Sequence, residues 1–341
     1  MNFKSKGGIV MRKNSRISYF IVFSIVICIC LFFLTPAHAK SVLNLYSASA
    51  DKVMNMYNEA FKKKYPDIEL TNVNLSSGPM TSRIIAEKNN PLGDLCFGMY
   101  DVYIKKLKQE GCLEPYVRKD VDKIDKRFVD TDGFYVGDNI GLIAVGVNTK
   151  IMKEKNLPNP KTWDDLVKPI YKGMIMVASP AQSGTGVTIF SNLYDMYGGW
   201  DYIDKLHKNV FQYTQSGSAP IRSTARGEIA IGITYDYAIW NLKNEGFPLD
   251  VIYIPKIPYF VEYSGLISGA KHPKEAKVFL DFMATKECME FISKAVTLVT
   301  RLDVTTKEAW KPKLKDLDLY QPKKDYDVEK FANDWAKRYT K

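Results

Sequence analysis

The sequence predicts an α/β fold of two lobes, each a mixed, mostly parallel sheet flanked by helices, with a hinge between them. β-rich runs alternate with helical patterns along most of the chain, which is typical of parallel sheets covered by helices. About 300 residues follow the export signal described next, which is long for one hydrophobic core. No linker rich in Pro, Gly or Ser separates two sequential domains. We therefore expect the two lobes to share the chain discontinuously.

The first 39 residues are predicted to be an export signal. Five basic residues and no acidic residue precede an apolar run from Ile17 to Leu34, which Pro36 and the small-residue pattern Ala37-His38-Ala39 follow. This order is typical of a secretory signal. It predicts cleavage after Ala39 and a periplasmic location. An uncleaved anchor is the alternative, because about eighteen apolar residues just span a bilayer.

The charge of the exported chain favours an anionic ligand or surface. The whole sequence has a formal net charge of +10, and removal of the five basic residues of the signal lowers it to +5. A modest positive balance attracts anions. No basic run with interleaved aromatic residues is present, which argues against nucleic acid as a partner.

Three cysteines follow the signal, at positions 96, 112 and 288. This odd number gives no disulfide framework. We favour isolated buried thiols over a bridge between Cys96 and Cys112.

The first predicted elements follow a βαβαβα order. In the first helix, Val53, Met56, Tyr57, Ala60 and Phe61 fall at helical spacing. The predicted elements are the strands Val42–Tyr46, Ile68–Asn72 and Asp94–Gly98 and the helices Asp51–Tyr65, Met80–Lys88 and Tyr100–Gln109.

A second set of elements begins near residue 140. Its strands are Gly141–Asn148, Gly173–Ala178, Phe211–Tyr213, Ile229–Thr234, Val251–Pro255 and Gly265–Ser268. Its helices are Trp163–Val167, Val187–Tyr197, Asp201–Lys208, Tyr237–Asn244, Lys274–Ala284 and Lys286–Ala295. A final stripe of Val328, Phe331, Trp335 and Tyr339 predicts a helix that docks on the body.

The chain is predicted to cross between the lobes twice, near Asp138–Asn148 and Ile257–Ser264. These crossings assign residues 40–140 and 262–341 to the first lobe and residues 141–261 to the second. Ligands of open α/β sheets lie beyond the carboxyl ends of the strands. We therefore expect the binding site in the cleft between the lobes.

Motifs of catalysis are absent from the sequence. It contains no G-x-x-x-x-G-K-[ST], H-E-x-x-H, G-x-S-x-G or paired C-x-x-C motif. Beyond the signal, the only histidines are His207 and His272, so a His-rich metal site cannot form. We expect a protein that is not an enzyme.

Four segments rich in Ser, Thr and Gly each lie between a predicted strand and a helix. They are Ser47–Ala50, Ser76–Pro79, Ser183–Gly186 and Ser216–Pro220. Helix N-termini present unpaired N–H groups, and small residues let an anion approach them. Helix capping alone is the alternative for any one segment.

The candidate ligand-binding residues are Ser47, Ser49, Ser76, Ser77, Ser183, Gly184, Thr185 and Ser218. Arg83 and Arg222, in the first turns of two of these helices, are candidates for bidentate contacts or for solvated surface residues.

A second patch of candidate residues follows the strand at Ile229–Thr234. Tyr235 and Asp236 are expected to reach the cleft and to bind hydroxyls or an ammonium group; the alternative for Asp236 is a cap. Glu262, in an apolar and aromatic segment, either reaches the cleft or pairs locally. Phenolate and carboxylate oxygens also bind Fe³⁺, for which Tyr235, Tyr237 and Asp236 are the candidates.

The order of these segments resembles the periplasmic solute-binding proteins of ABC importers, in the group that binds ferric ions, phosphonates, sugar phosphates and thiamine. The stretches that carry the resemblance are LNLYSASADKVMNMYNEAFKKKYPDIEL, LSSGPMTSRIIAEKNNPLGDLCFG, LKQEGCLEPY, KTWDDLVKPIYKGMIMVASPAQSGTG, RGEIAIGITYDYA and ISGAKHPKEAKVFLDFM. The resemblance implies a two-lobed type II binding protein that closes on its ligand. It also implies a permease and an ATPase as partners, and we expect a monomer.

The resemblance favours a small anionic solute without a cofactor. In members that hold an organic phosphate or phosphonate, hydroxyl segments grip the phosphoryl oxygens, and an acidic residue, matched here by Asp236, takes the hydroxyl or amino end. Many ferric binders carry two adjacent tyrosines and a histidine after the first strand, whereas this chain has Tyr235-Asp236-Tyr237 and no such histidine. An iron-binding protein is the second hypothesis, and a hydrolase on the same scaffold is a remote third.

Overall fold

The computed structural model describes residues 1, 40–304, 311–312, 317–323 and 327–340, without the side chain of Val328. The predicted export signal lies outside these residues, apart from Met1. The chain divides into two units, Met1–Lys40 and Ser41–Lys341, and every element below belongs to the second. In the described part of the chain, no helix combines the length and apolar character that a membrane span requires.

The strands are β1 (Ser41–Ser47), β2 (Ile68–Asn74), β3 (Leu95–Tyr100), β4 (Leu113–Glu114), β5 (Tyr135–Asn148), β6 (Ile175–Ala178), β7 (Val210–Thr214), β8 (Ile231–Tyr235), β9 (Leu249–Ile252), β10 (Tyr259–Ile267) and β11 (Leu298–Val299). The α-helices are α1 (Asp51–Lys64), α2 (Ser77–Ala86), α3 (Asp101–Gln109), α4 (Thr149–Glu154), α5 (Gly184–Tyr197), α6 (Trp200–His207), α7 (Ala219–Ala225), α8 (Asp236–Asn244), α9 (Pro273–Ala284), α10 (Lys286–Ile292) and α11 (Val328–Tyr339). Short 3₁₀ helices span Val121–Lys123, Lys126–Phe128, Trp163–Val167 and Pro169–Tyr171.

The strands follow one path in the order β2-β1-β3-β10-β5-β8-β6-β7. We call β2-β1-β3-β10-β5, with β4 and β11, the first sheet, and β5-β8-β6-β7, with β9, the second sheet. Within the first sheet, β1 pairs in parallel with β2 and β3. Within the second sheet, β6 pairs in parallel with β7 and β8. The antiparallel pairs all include β5 or β10, so each sheet is mixed, as the sequence predicts.

Strand β5 belongs to both sheets. Its first part pairs with β10, up to Leu142 opposite Tyr259, and its second part pairs with β8, from Ile143 opposite Tyr235. All fourteen residues of β5 are buried. The observed change of partner falls within the predicted crossing near Asp138–Asn148. The lobe boundaries drawn from it stay a prediction.

Strand β3 ends two residues later than its predicted end at Gly98. It continues to Tyr100, since Met99 and Tyr100 pair with Tyr263 and Glu262 of β10. Gly98 adopts a positive φ of 73°, which glycine tolerates best. A Cβ atom there would lie 2.3 Å from the backbone nitrogen of Ser49. The sequence predicts the end of the strand at this glycine, whereas tertiary pairing extends the strand through it.

Aromatic side chains form much of the core on the helical faces of the sheets. The ring of Phe61 on α1 lies 4.7 Å from that of Phe279 on α9. Phe331 and Trp335 of α11 are buried, and the Trp335 ring lies 5.8 Å from that of Phe190 on α5. The predicted docking of the C-terminal stripe is confirmed for these two residues. A change of Phe61 to Ala would cost about 3–5 kcal/mol of unfolding free energy.

The thiols of Cys96, Cys112 and Cys288 are free and buried. Their burial raises the pKa of each thiol. Neutral buried thiols behave as small apolar groups, which agrees with the interpretation favoured above.

Candidate functional site

The carboxyl ends of six strands meet around one cavity of about 200 Å³. Strands β1, β2 and β3 of the first sheet and β6, β7 and β8 of the second sheet all end beside it, and β10 contributes Glu262. The lining residues are Ala48, Ser49, Ala50, Asp51, Asn74, Leu75, Ser76, Ser77, Tyr100, Ser183, Gly184, Thr185, Ser216, Gly217, Ser218, Arg222, Tyr235 and Glu262. This placement agrees with the rule for ligands of open α/β sheets.

On the side of the first sheet, the loop after β1 places Ser49 in the lining. Its hydroxyl donates to Oε2 of Glu262 at 2.6 Å, and its backbone N–H donates to Oγ of Ser47 at 3.2 Å. Ser47 is itself buried and lies outside the lining, so it supports Ser49 from behind.

The start of α2 supplies two further hydroxyls to the cavity. The N-cap is Ser76, because the helix begins at Ser77, three residues before its predicted start at Met80. The hydroxyl of Ser76 donates to the carbonyl of Gln215 at 3.1 Å. That bond joins the end of β2 to the loop after β7, so residues of the two sheets touch at the cavity.

On the side of the second sheet, Ser183 is the N-cap of α5, and its Oγ accepts from Gly186 N–H. Gly184 and Thr185 form the first turn of this 14-residue helix. Gly217, in the loop after β7, lies against Thr185, since a Cβ atom on Gly217 would lie 2.1 Å from Thr185 Oγ1. Only glycine fits this close approach.

Arg222 is the arginine that lines the cavity. It is exposed, and its guanidinium donates to Oγ of Ser218 at 2.5 Å and to Oγ of Ser216 at 3.4 Å. Arg83 lies outside the lining, because it donates to Glu87 at 2.8 Å and to the hydroxyl of Tyr46 at 3.1 Å. Of the two arginines that the sequence suggests, the structure places one at the site.

Glu262 is buried in the wall of the cavity. Its Oε2 accepts from Ser49 and from Asn139 Nδ2, and its Oε1 accepts from the hydroxyl of Tyr237 at 2.8 Å. These three donors are neutral. Burial is the main cause that raises the pKa of Glu262, and the hydrogen bonds oppose the rise. A cationic or hydroxyl group of a ligand would compensate this carboxylate.

Asp236, which the sequence predicts to face a ligand, lies outside the lining. Because α8 begins at Asp236, its carboxylate turns back into the protein. Oδ1 accepts from Leu142 N–H, Tyr237 N–H and the hydroxyl of Thr297, and Oδ2 accepts from the hydroxyl of Tyr253. Asp236 is fully buried, and burial raises its pKa to about 6.

The three residues proposed to bind Fe³⁺ do not meet at the cavity. Tyr235 lines it, whereas Tyr237 is buried with its hydroxyl bound to Glu262, and Asp236 points away. Burial raises the pKa of Tyr235 and that of Tyr237, which disfavours the phenolate form. Among the described residues, no three His, Cys, Asp or Glu side chains gather as a metal site.

Most of the hydroxyl candidates come together in the structure. The predicted residues that line the cavity are Ser49, Ser76, Ser77, Ser183, Gly184, Thr185, Ser218, Tyr235 and Glu262. Sequence reasoning missed Asp51, Asn74 and Tyr100. All three lie at or just after the carboxyl end of a strand or at a helix start, so the strand-end rule applied to every strand would have found them.

Comparisons with known proteins agree with this architecture. Residues 90–327 match the family model described as bacterial extracellular solute-binding protein. A protein of Haemophilus influenzae is 32% identical over 312 residues, which cover 87% of each chain. The putative 2-aminoethylphosphonate-binding periplasmic protein of Salmonella typhimurium is 23% identical over 289 residues, 79% of this chain and 82% of that one. The periplasmic binding protein AfuA from Actinobacillus pleuropneumoniae, solved with exogenous fructose-6-phosphate bound, is 29% identical, with a TM-score of 0.78 over 88% of this chain and 96% of that chain. These likenesses confirm the resemblance and the two-lobed fold: the chain belongs to the family of bacterial extracellular solute-binding proteins.

Proposed function

We propose that this solute-binding protein captures a small phosphorylated or phosphonate solute, such as a sugar phosphate or an aminoalkylphosphonate, in the cavity between the two sheets. The observation that carries the proposal is the convergence of hydroxyl groups, the N-terminus of α5 and one arginine on a single cavity. The protein hands the solute to the permease and ATPase of an ABC importer and performs no chemistry itself.

The anionic end of the solute binds beside α5 and the loop after β7. The first turn of a helix carries free N–H groups and a partial positive charge, which together bind phosphate groups. Thr185 and Ser218 add hydroxyl donors, and Arg222 adds a guanidinium that is able to contact two oxygens at once. Hydroxyl and amide donors hold an anion without a lysine, so the site needs little positive charge.

The opposite end of the solute faces carboxylates. Glu262 lies in the wall behind Ser49, and Asp51, held by Asn74 Nδ2 at 2.6 Å, lies at the start of α1. Carboxylates accept hydrogen bonds from hydroxyl and ammonium groups. Two similar proteins support this placement of the two ends of the solute. One was solved with fructose-6-phosphate and the other is named for 2-aminoethylphosphonate, and both compounds combine a phosphate or phosphonate group with hydroxyl or amino groups.

The size of the cavity favours a small solute. Its volume is about 200 Å³, below the roughly 300–1,000 Å³ typical of pockets for drug-sized ligands. We therefore expect a small metabolite, bound by a monomer in the periplasm.

The first test is native mass spectrometry of residues 40–341, purified without refolding. We expect an adduct of a few hundred daltons that contains phosphorus and is lost on denaturation. Calorimetry with fructose 6-phosphate and with 2-aminoethylphosphonate then measures affinity, and Ser77→Ala and Thr185→Ala should weaken binding. Failure of every phosphorylated or phosphonate candidate to bind the wild-type protein would overturn the proposal.

A further inference from the structure

A hydrogen bond between Tyr100 and Thr185 joins the two sheets inside the cavity. The hydroxyl of Tyr100, at the carboxyl end of β3, lies 3.0 Å from Oγ1 of Thr185, in the first turn of α5. The two residues are 6% and 3% exposed, and both line the cavity. The bond is therefore shielded from bulk water and lies where a ligand would bind.

The ring of Tyr100 is held rigidly. It stacks on the ring of Phe260 with a centroid distance of 4.3 Å and an interplanar angle of 11°. Thr185 is confined on its other side by Gly217, where no Cβ atom fits. The carbonyl of Gly217 already accepts from the hydroxyl of Thr234 at 2.6 Å. Neither side chain of the pair has much freedom to change its position.

The two hydroxyls together carry one proton more than their mutual hydrogen bond uses. Burial raises the pKa of Tyr100 well above its usual range, so the phenol stays protonated. Each hydroxyl then carries one proton, and the mutual bond uses one of them. The hydrogen bonds of the described residues provide no second acceptor for either hydroxyl. Whichever group donates within the pair, one O–H remains to donate elsewhere.

We propose that Tyr100 is a positioning residue whose hydroxyl donates to Oγ1 of Thr185, so that Thr185 donates its own O–H to an oxygen of the ligand's phosphate or phosphonate group. This inference rests on the function proposed above. A hydrogen bond from a buried neutral donor to a charged acceptor is stronger than one between neutral groups. Loss of the phenol hydroxyl leaves the Thr185 hydroxyl free to rotate away from the anion.

The test is a double-mutant cycle of Tyr100→Phe and Thr185→Val, with calorimetric titration of fructose 6-phosphate, 2-aminoethylphosphonate and inorganic phosphate. For the probe that binds wild-type protein most tightly, we expect Tyr100→Phe to weaken binding about tenfold. In the Thr185→Val background, the same change should have almost no effect, because Tyr100 acts through Thr185. A Thr185→Ser background keeps the hydroxyl and should restore the sensitivity to Tyr100→Phe.

Tyr103→Phe is the matched control, because Tyr103 lies one turn along α3 and outside the lining. It should leave affinity unchanged. Small-angle X-ray scattering of the unliganded Tyr100→Phe protein should give the wild-type radius of gyration. Expansion would show that the bond merely holds the cleft closed, which would overturn the inference.

The remaining outcomes separate the two proposals. If wild-type protein binds none of the probes, the proposed function fails and this inference fails with it. If wild-type protein binds but Tyr100→Phe binds equally well, or if its effect persists beside Thr185→Val, the inference alone is overturned.

Discussion

The hydroxyl of Ser49 donates a hydrogen bond of 2.6 Å to Oε2 of Glu262, although 213 residues separate the two in sequence. Ser49 follows β1, whereas Glu262 lies within β10, which pairs with β3 and β5 at the centre of the first sheet. The bond connects the loop after β1, which lines the cavity, to a buried carboxylate on β10 of the first sheet. Changes at Glu262 therefore test both ligand recognition and stability.

We predict that Glu262→Gln separates binding from stability. Burial disfavours the ionised carboxylate, so a neutral isostere should keep the unfolding free energy at pH 7 or raise it by about 1 kcal/mol. Oδ1 of Asn139 has no hydrogen-bond partner in the structure, and rotation of that amide would let it accept from the new Gln side chain. Affinity for 2-aminoethylphosphonate should fall at least about tenfold, because the charge that faces the ammonium is lost.

The control for this prediction is Glu290→Gln on the exposed face of α10. Glu290 forms a long surface contact of 3.9 Å with Lys286, and such pairs contribute about 0–1 kcal/mol. Chemical denaturation and calorimetry should find this variant close to wild type in stability and in affinity. A large loss of stability in Glu262→Gln alone would instead show that Glu262 is structural.

A second prediction concerns the pH dependence that Asp236 gives to stability. Burial raises its pKa from 3.8 to about 6, so the folded protein binds this proton more tightly than the unfolded chain does. Protonated Asp236 thus adds about 2–3 kcal/mol to the unfolding free energy below about pH 4, and this contribution is lost as pH rises towards 6 and above. Glu262 and Asp138 are also buried with raised pKa values, and they add a dependence of the same sign.

The difference in unfolding free energy between wild type and Asp236→Asn isolates the contribution of Asp236. Urea denaturation of both proteins between pH 4 and pH 7.5 should show the wild-type protein losing stability relative to the variant as pH rises. A difference that stays constant with pH would contradict the assignment.

The sequence predicts the hydroxyl-rich part of the site well, because local patterns determine it. The segments around Ser77, Ser183 and Ser218 each join a strand to a helix, and the turn chemistry that caps a helix also exposes its N–H groups. The rule that ligands lie at strand ends then places these segments in one cavity. No long-range contact is needed for this part of the inference.

The remaining features depend on tertiary structure. The orientation of Asp236 depends on the residue at which α8 begins, and a shift of one residue turns a side chain by about 100°. Tyr100 reaches the cavity because β10 pairs with β3 beyond Gly98, and that pairing joins residues more than 150 positions apart. The spacing of apolar residues within a short stretch of sequence reveals neither the first residue of α8 nor the pairing of β10 with β3.

The third prediction tests the close approach at Gly98. An alanine there has an unfavourable φ of 73°, and its Cβ atom would lie 2.3 Å from Ser49 N. We expect Gly98→Ala to lower the unfolding free energy by more than about 2 kcal/mol and to weaken ligand binding, since Ser49 must move. Gly173→Ala is the matched control: its φ is 68°, but no atom lies within 4 Å of the new Cβ atom, so it should cost about 1 kcal/mol and leave affinity unchanged.

The last prediction addresses iron. Fe³⁺ bound by phenolates absorbs visible light, and a tight ferric site needs several anionic oxygens that converge on the metal. Here only Tyr235 of the three proposed ligands lines the cavity, because Tyr237 is bound to Glu262 and Asp236 is turned towards Leu142 and Thr297. We therefore expect purified protein to stay colourless after incubation with ferric citrate and removal of the excess by gel filtration. A visible absorption band that Tyr235→Phe abolishes would show instead that Tyr235 binds the metal, and it would replace the organophosphate proposal with iron transport.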